Sequence, residues 1–309
     1  MGKVAFVFPG QGSQKVGMGR EAYEASEAAR AVFDEADEAL GEELSRLCFE
    51  GPEEELKLTA NTQPAILATS IALLRALDAP FDVVAGHSLG EYSAHVAAGT
   101  LQLGDALRLV RKRGQYMQEA VPYGRGAMAA VLKADRTLVE RICAEVPGLV
   151  EAVNYNSPEQ TVIAGEAEAV REAGAKLKEA GARSSTLPVS APFHSSLMEP
   201  AEARLRDDIE RVTFSDPRVP VYVNVDATPV RDAAAARDAL IQQVSRPVRW
   251  EDSVRRMIDD GVSLFVEVGP GRVLSGLLVR IDKRAGRVNV QGPSDFGPAR
   301  EAISEARSG

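Results

Sequence analysis

The stretch Gly86-His87-Ser88-Leu89-Gly90 decides the fold, because it joins a predicted strand to a predicted helix through a serine between two glycines. Residues 81–85 form a short apolar run that is typical of a buried strand. Residues 91–98 are rich in alanine and predict a helix. This arrangement is the G-x-S-x-G nucleophile elbow, whose tight turn leaves no room for a Cβ at either glycine. The context favours a nucleophilic Ser88, with its hydroxyl above the sheet, over a serine that lies in a turn by chance.

Composition excludes several classes of function. The 309 residues are 45% hydrophobic and 26% charged, as in an ordinary globular protein, and the net charge of −9 argues against nucleic acid as a general partner. The two cysteines lack ligand spacing and there are only three histidines, so we expect no metal site. No apolar stretch approaches the ~20 residues of a membrane span, and none resembles a signal peptide. We therefore expect a cytoplasmic protein without a membrane partner.

Strand and helix patterns alternate on both sides of the elbow, which predicts an α/β fold with a mainly parallel sheet and helices on both faces. Strands are predicted at residues 3–8, 81–85, 219–224 and 263–268. Helices are predicted at 21–40, 52–58, from a cap at 61–64 to 77, and at 91–98, 104–119, 196–211, 232–244, 250–260 and 273–281.

The pattern changes between residues 126 and 188. Strands are predicted at 127–132, 149–155, 161–164 and 185–189, with helices at 135–146 and 166–180. The order βαββαβ is that of a ferredoxin-like unit. We therefore expect an inserted subdomain at 125–189, within an elbow-bearing domain made of residues 1–124 and 190–309.

A glycine-rich loop at residues 10–19 follows the first predicted strand. It is not a dinucleotide fingerprint, because Lys15 stands where the third glycine of G-x-G-x-x-G belongs, and it is not a Walker A motif. What remains is a backbone that can approach a ligand closely, or a plain turn.

A serine nucleophile needs a general base, which is usually a histidine. His87 is adjacent to Ser88, and side chains diverge in such a turn. His95 lies seven residues further along the helix, about 10 Å away at ~1.5 Å per residue. Elimination leaves His194, at the return from the inserted subdomain, as the base. No acidic residue between Ser88 and His194 has a motif, so a backbone carbonyl is an alternative group to orient the imidazole.

Five motifs carry a resemblance to the malonyl-CoA:acyl carrier protein transacylase family, free-standing bacterial type, over nearly the whole chain. They are Phe-Pro-Gly-Gln-Gly-Ser-Gln at 8–14, Gly-His-Ser-Leu-Gly-Glu at 86–91, Asn-Tyr-Asn-Ser-Pro at 154–158, Pro-Phe-His at 192–194 and Glu-Val-Gly-Pro-Gly at 267–271. The resemblance implies a hydrolase-like α/β domain with a ferredoxin-like insertion. It also implies ping-pong transfer of malonyl from malonyl-CoA, through a malonyl-serine, to the phosphopantetheine thiol of acyl carrier protein. No permanently bound cofactor is implied.

The resemblance also implies roles for individual residues. The backbone N–H groups of Gln11 and Leu89 would form an oxyanion hole, and the main-chain carbonyl of Gln243 would orient His194. Arg113 would bind the malonyl carboxylate, for which a guanidinium fork is well suited. The alternative for Arg113 is a place on a solvated basic helix face. The residues that would line the pocket are Gln63, Asn156 and Phe193. Phe193 is typical of members of the family that select malonyl.

Other functions stay open at this point. A serine esterase or thioesterase shares the elbow and the histidine but gives the acyl group to water. A catalytically silent relative would only bind acyl carrier protein, although retention of Ser88 and His194 argues against it. An acyltransferase of polyketide synthesis is a third alternative, and we expect a free-standing monomer in fatty acid synthesis instead.

Overall fold

Two sheets organise residues 2–189 and 191–308, the parts of the chain that the computed structural model describes. In chain order the strands are β1 (Lys3–Phe8), β2 (Val83–Gly86), β3 (Gly126–Leu132), β4 (Val150–Ser157), β5 (Gln160–Glu166), β6 (Arg183–Thr186), β7 (Val221–Tyr222), β8 (Pro229–Val230), β9 (Val262–Val268) and β10 (Gly286–Val290).

The helices cover both faces of the larger sheet and one face of the smaller one. In chain order they are α1 (Arg20–Ala25), α2 (Glu27–Leu40), α3 (Leu44–Glu50), α4 (Glu53–Leu56), α5 (Thr59–Leu77), α6 (Gly90–Ala98), α7 (Leu103–Glu119), α8 (Arg136–Glu145), α9 (Ala167–Glu179), α10 (Glu199–Ile209), α11 (Ala233–Gln242), α12 (Trp250–Asp259), α13 (Val273–Ile281) and α14 (Phe296–Ser308).

The larger sheet has the order β10-β9-β1-β2-β7-β8 and is parallel except for the β7–β8 pair. Successive residues of its central strand β1 enter different cores, with Phe6 packed on one face and Val7 on the other. This burial on both faces explains why the strand is a continuous apolar run rather than an alternating one. The structure confirms the predicted α/β fold with a mainly parallel sheet.

The smaller sheet is antiparallel, with the order β4-β5-β3-β6. Numbered within the unit this is 2-3-1-4, with α8 and α9 packed on its own apolar core, which confirms the predicted ferredoxin-like arrangement. The unit also contacts the larger domain through backbone hydrogen bonds. The N–H of Tyr155 donates to the carbonyl of Val248 (2.9 Å), and the N–H of Val248 donates to the carbonyl of Val153 (2.8 Å).

Two predicted helices differ from the structure, one because it is divided and one because it begins earlier. The single helix predicted at 21–40 is two helices, because Ser26 is extended and its hydroxyl accepts from the N–H of Ala29 as the N-cap of α2. The predicted cap at 61–64 is wrong, since α5 begins at Thr59 and contains Pro64. The polar side chains there bond to the preceding turn instead, Asn61 to the carbonyl of Glu55 and Thr62 to that of Leu56.

Two predicted strands are shorter or shifted. The strand predicted at 219–224 is only Val221–Tyr222, and Asn224 lies beyond its end. The strand predicted at 185–189 is Arg183–Thr186, because these residues pair with β3. The following apolar residues Leu187 and Val189 line a cavity instead. The helix predicted at 196–211 begins with a turn of 3-10 helix before α10.

The turn from β2 to α6 is too tight for side chains at its two glycines. A Cβ on Gly86 would lie 1.9 Å from the backbone carbon of Gly90, and one on Gly90 would lie 2.1 Å from the carbonyl oxygen of Phe8. The glycine-rich loop also approaches this turn, since a Cβ on Gly10 would lie 2.6 Å from the carbonyl oxygen of His87. The sequence pattern therefore has a steric cause on both sides of Ser88.

We expect Gly86→Ala to lower the free energy of unfolding by about 3 kcal/mol, because the new methyl group overlaps fixed backbone. The matched control is Gly276→Ala on the exposed face of α13, where a Cβ meets nothing within 4 Å. That control should gain about 0.5–1 kcal/mol from helix propensity. Urea unfolding of both variants measures the difference, and equal stabilities would contradict the steric explanation.

Candidate active site

Ser88 stands at the turn between β2 and α6 with a φ of 51°, in the left-handed region that residues other than glycine rarely adopt. His194, on the segment after the inserted unit, also has a positive φ of 64°. Backbone strain of this kind concentrates at functional sites. The two residues meet across the elbow, where Ser88 Oγ lies 2.7 Å from His194 Nε2.

The hydrogen bonds of His194 determine which ring nitrogen carries the proton. Its Nδ1 lies 2.9 Å from the main-chain carbonyl oxygen of Gln243, which can only accept. Nδ1 therefore holds the proton, and the lone pair of Nε2 faces the hydroxyl of Ser88. This geometry is that of a nucleophile and its base, with a carbonyl where many serine enzymes place a carboxylate.

His194 is buried, and burial lowers the pKa of its imidazole to about 3, with the nearby charge of Arg113 as the second cause. The imidazole is therefore neutral around pH 7, which is the state in which Nε2 can accept the serine proton. The hydrogen bond to the carbonyl of Gln243 raises the pKa of His194, because it stabilises the protonated ring.

Arg113 points into the site from α7 and is only 2% exposed. Its Nη1 donates to Gln63 Oε1 (2.8 Å), and its Nη2 donates to Gln243 Oε1 (2.9 Å) and Ser88 Oγ (3.1 Å). Within the described residues no carboxylate lies within 4 Å of this guanidinium. The alternative of a solvated basic face fails for Arg113, although it describes its exposed neighbour Arg108.

A cavity of about 370 Å³ opens above Ser88 and joins the two units. Residues from the glycine-rich loop, the elbow, the inserted sheet and α13 line it, among them Gln11, Leu89, Asn156, Phe193 and Leu274. In the part of the chain that the structure describes, no acceptor is hydrogen-bonded to the backbone N–H of Gln11 or of Leu89. Both donors therefore stay available at the cavity, as an oxyanion hole requires.

The other residues predicted to line the pocket lie at its polar edge. Gln63 is buried and accepts from Arg113, so it orients the guanidinium. Asn156, at the end of β4, lies 2.8 Å from His87 Nε2 through its Oδ1. The imidazole of His87 therefore bonds to the inserted unit and not to the hydroxyl of Ser88. His95 is fully buried, and its Nε2 lies 3.9 Å from Glu91 Oε1.

Sequence reasoning missed Asn224 and Glu91. Asn224 Oδ1 accepts from the N–H of Ser88 (2.7 Å), and Glu91 Oε2 accepts from the N–H of Asn224 (2.7 Å). Asn224 lies just past the carboxyl end of β7, where polar residues of a parallel sheet often reach the site, but the predicted strand 219–224 included it. A glutamate in an otherwise apolar, alanine-rich helix was the available signal for Glu91.

The motif at 267–271 has a structural explanation. The carboxylate of Glu267 accepts from the N–H groups of Leu274 and Ser275 at the start of α13 (3.0 and 2.8 Å) and from Asn289 Nδ2 (2.9 Å). Gly269 has a φ of 146°, and a Cβ there would lie 2.6 Å from a ring carbon of Pro9. The motif therefore places the helix that forms one wall of the cavity.

Residues 2–189 and 191–308 contain no group of three or more His, Cys, Asp or Glu side chains arranged to hold a metal ion. Among the described helices, none is long and apolar enough to cross a membrane.

Comparison with known proteins gives a consistent result. The acyl transferase domain family matches residues 5–290. The malonyl CoA-acyl carrier protein transacylase of Bacillus subtilis is 47% identical over 312 residues, covering 99% of this chain and 98% of the relative. The acyl-carrier-protein-S-malonyltransferase structure from Bartonella henselae has a TM-score of 0.96 at 44% identity and covers 98% of this chain and 100% of that one.

A second solved structure is a malonyl-transacylase in complex with the holo acyl-carrier protein of a type II PKS. It has a TM-score of 0.94 at 44% identity, and the match covers 97% of this chain and 99% of that one.

We expect the reaction of Ser88 with a fluorophosphonate probe to change by less than about 2-fold between about pH 7.5 and pH 5.5. The lowered pKa keeps His194 deprotonated over that range, whereas a histidine with the ordinary pKa of about 6.5 would lose roughly 10-fold. The rate should fall only well below pH 5.5. Labelling kinetics measure it, with Ser88→Ala as the unlabelled control, and a midpoint at or above 6.5 would contradict the neutral imidazole.

Proposed function

Because this chain belongs to the acyl transferase family, and within it to the malonyl-CoA:acyl carrier protein transacylases, we propose that it transfers malonyl from malonyl-CoA to the phosphopantetheine thiol of acyl carrier protein. The observation that carries the proposal is the buried Arg113, which lies 3.1 Å from the nucleophile and has no carboxylate partner among the described residues. A buried cation of this kind needs an anion, and the free carboxylate of a malonyl group supplies one.

In the first half-reaction, Ser88 Oγ attacks the thioester carbonyl of malonyl-CoA while His194 Nε2 takes the hydroxyl proton. The C–S bond then breaks, and the proton on Nε2 passes to the leaving thiolate of CoA. The carbonyl of Gln243 stabilises the imidazolium in between, through its contact with Nδ1. The product is a malonyl ester on Ser88.

The developing oxyanion would be bound by the backbone N–H groups of Gln11 and Leu89, which line the cavity on either side of Ser88. Each donor of this kind contributes about 3 kcal/mol to the stability of the transition state. In the second half-reaction the same groups act in reverse order. His194 takes the proton of the phosphopantetheine thiol, whose sulfur attacks the malonyl ester. The bond between the acyl carbon and Ser88 Oγ then breaks, and the proton on Nε2 returns to Oγ.

The malonyl carboxylate also changes the electrostatics of the base. The charge of Arg113 is one of the two main causes that lower the pKa of His194. A carboxylate paired with Arg113 offsets this charge, so the basicity of His194 increases when malonyl is bound. An acetyl group has no carboxylate and leaves the imidazole a weaker base.

The hydrolase alternative uses the same serine and histidine, and the buried Arg113 beside Ser88 and the malonyltransferase relatives favour transfer over it. Apolar side chains form part of the cavity wall above Ser88; they are Met117, Met128, Val162, Leu187, Val189, Phe193, Val273, Leu274 and Leu277. The pathway that we propose is fatty acid synthesis. Polyketide synthesis is the alternative, and one similar structure is a malonyl-transacylase in complex with the acyl-carrier protein of a type II PKS.

We extend the proposal to the organisation of the protein. Residues 125–189 would form an inserted subdomain, and 1–124 with 190–309 the catalytic domain, a division supported by the separate core of the smaller sheet. The described chain exposes only four large apolar side chains, Val16, Leu58, Tyr123 and Val273, which supports a monomer that sedimentation should show at 33.0 kDa. Buried, unpaired Cys48 and Cys143 fit a reducing cytoplasm.

Brief mixing with malonyl-CoA should add one malonyl group to the wild-type protein, because attack by Ser88 forms an ester that survives release of CoA. Intact-protein mass spectrometry measures the adduct. Holo acyl carrier protein should remove it, while buffer alone should leave it in place.

The control for this experiment is Ser88→Ala, which should show no adduct. Loss of the adduct in buffer as fast as with carrier protein would identify a hydrolase. No adduct from malonyl-CoA or from any other acyl-CoA would reject the transfer function and leave the silent carrier-binding alternative.

Arg113→Ala should lower the ratio of malonyl transfer to acetyl transfer by about 10²- to 10³-fold, since two charge-assisted hydrogen bonds to the carboxylate are lost. The ratio of kcat/KM for malonyl-CoA and acetyl-CoA is the quantity to measure, because it cancels losses common to both substrates. Arg108→Ala, an exposed arginine on the same helix, is the matched control and should leave the ratio unchanged. Equal losses for both substrates would refute the role of Arg113.

A further inference from the structure

The peptide of Ser88 is held by side chains from outside the elbow. Its positive φ takes its N–H out of both the β2 ladder and the hydrogen bonds of α6. Asn224 Oδ1 accepts from this N–H (2.7 Å), and Gln243 Nε2 donates to the carbonyl of Ser88 (2.9 Å). The unusual backbone conformation is therefore satisfied on both sides by amide side chains.

Asn224 spans the turn rather than touching it at one point. Its Nδ2 donates to the carbonyl of Gly86 (2.7 Å), at the end of β2, while its Oδ1 bonds to Ser88 two residues later. The register of β7 on β2, in which Ala85 is opposite Tyr222, places Asn224 directly beside the elbow. One side chain thus fixes the two peptide groups whose relative orientation defines the turn.

Asn224 is itself held in place. It is fully buried, and its backbone N–H donates to Glu91 Oε2 (2.7 Å) on the first turn of α6. Gln243 Nε2 also lies 3.4 Å from Asn224 Oδ1. Its amide therefore has one orientation that satisfies every contact, with the oxygen toward Ser88 and the nitrogen toward Gly86.

We propose that Asn224 is a positioning residue that holds the Ser88 elbow in the conformation from which Oγ faces His194. Removal of its amide leaves the N–H of Ser88 and the carbonyl of Gly86 buried without partners, so the turn relaxes toward an ordinary backbone conformation. Oγ then leaves the 2.7 Å contact with His194 Nε2. A displacement of about 1 Å at a reacting atom is sufficient to cost about 10²-fold in rate.

The inference rests on the proposed acyl transfer only for the choice of substrate. A merely structural role for Asn224 would lower the fraction of folded enzyme and leave each folded molecule fully active. A positioning role lowers the rate constant of every molecule. Single-turnover acylation separates the two, because the rate constant and the final acylated fraction are measured independently.

The experiment is rapid mixing of Asn224→Ala with saturating malonyl-CoA, quenching, and intact-mass detection of the malonyl ester. We expect the acylation rate constant to fall about 10²-fold while the final acylated fraction stays complete. The half-saturating concentration of malonyl-CoA should change less than 2-fold, since Arg113 and the cavity walls remain. The control is Asp37→Ala, which also loses two side-chain hydrogen bonds between α2 and α3, to the N–H and the hydroxyl of Ser45, and should keep the wild-type rate constant within 2-fold.

Asn224→Asp covers the case in which the alanine variant does not fold. Aspartate has the same shape and keeps an acceptor for the Ser88 N–H but places an acceptor against the Gly86 carbonyl. We expect its acylation rate constant to fall at least 3-fold, again with a complete final fraction. A rate constant within 2-fold of the wild type in every variant that folds would overturn the proposal.

Fluorophosphonate labelling of the same variants gives a second readout that needs no malonyl-CoA. Wild-type protein that reacts with the probe but forms no malonyl ester would reject the proposed function, and the labelling rates would still test Asn224. A labelling rate that falls in parallel with acylation supports the positioning role. Wild-type labelling rates in both Asn224 variants would reject it.

Discussion

The structure depends on a steric constraint at one turn, where β2 and α6 approach so closely that neither Gly86 nor Gly90 can carry a Cβ. The constraint holds Ser88 in a left-handed conformation and leaves its N–H outside the hydrogen bonds of β2 and α6. The surrounding chain compensates with two buried amides, Asn224 on the N–H of Ser88 and Gln243 on its carbonyl. This backbone conformation is therefore stable only in the complete fold. The fold brings Asn224, which is 136 positions from Ser88 in the sequence, and Gln243, which is 155 positions away, to the elbow.

Electrostatics explain why this site suits an anionic substrate. Arg113 and His194 are both buried, and burial lowers the pKa of each, because neither charge is well solvated there. Glu91 lies beneath them, and its burial raises the pKa of its carboxyl group to about 7, so it offsets the charge of Arg113 only in part near neutral pH. The cavity therefore keeps a net positive character that an incoming carboxylate completes.

The sequence could predict the features that depend on local pattern. Glycine spacing indicated the elbow, and strand patterns that alternate with helix patterns indicated the parallel sheet. The scarcity of histidines led to His194. It could not predict features that any residue type can supply. The carbonyl that orients His194 comes from the backbone of Gln243, so only the family resemblance suggested it. Asn224 was hidden for another reason, since the strand before it has only two residues and the pattern extended that strand over it.

The inserted unit takes part in positioning the residues of the site, in addition to lining the cavity. Val248 pairs in parallel with β4, and Gln243, whose carbonyl orients His194, stands only a few residues earlier on the same segment. At the elbow itself, Asn156 contacts His87, the residue before the nucleophile. The smaller sheet thus contacts both the segment that orients the base and the turn that carries Ser88. Because those two positions must agree within hydrogen-bond distance, the geometry of the pair depends on how the insertion packs, and a substitution at this junction acts on the chemistry without touching a reacting atom.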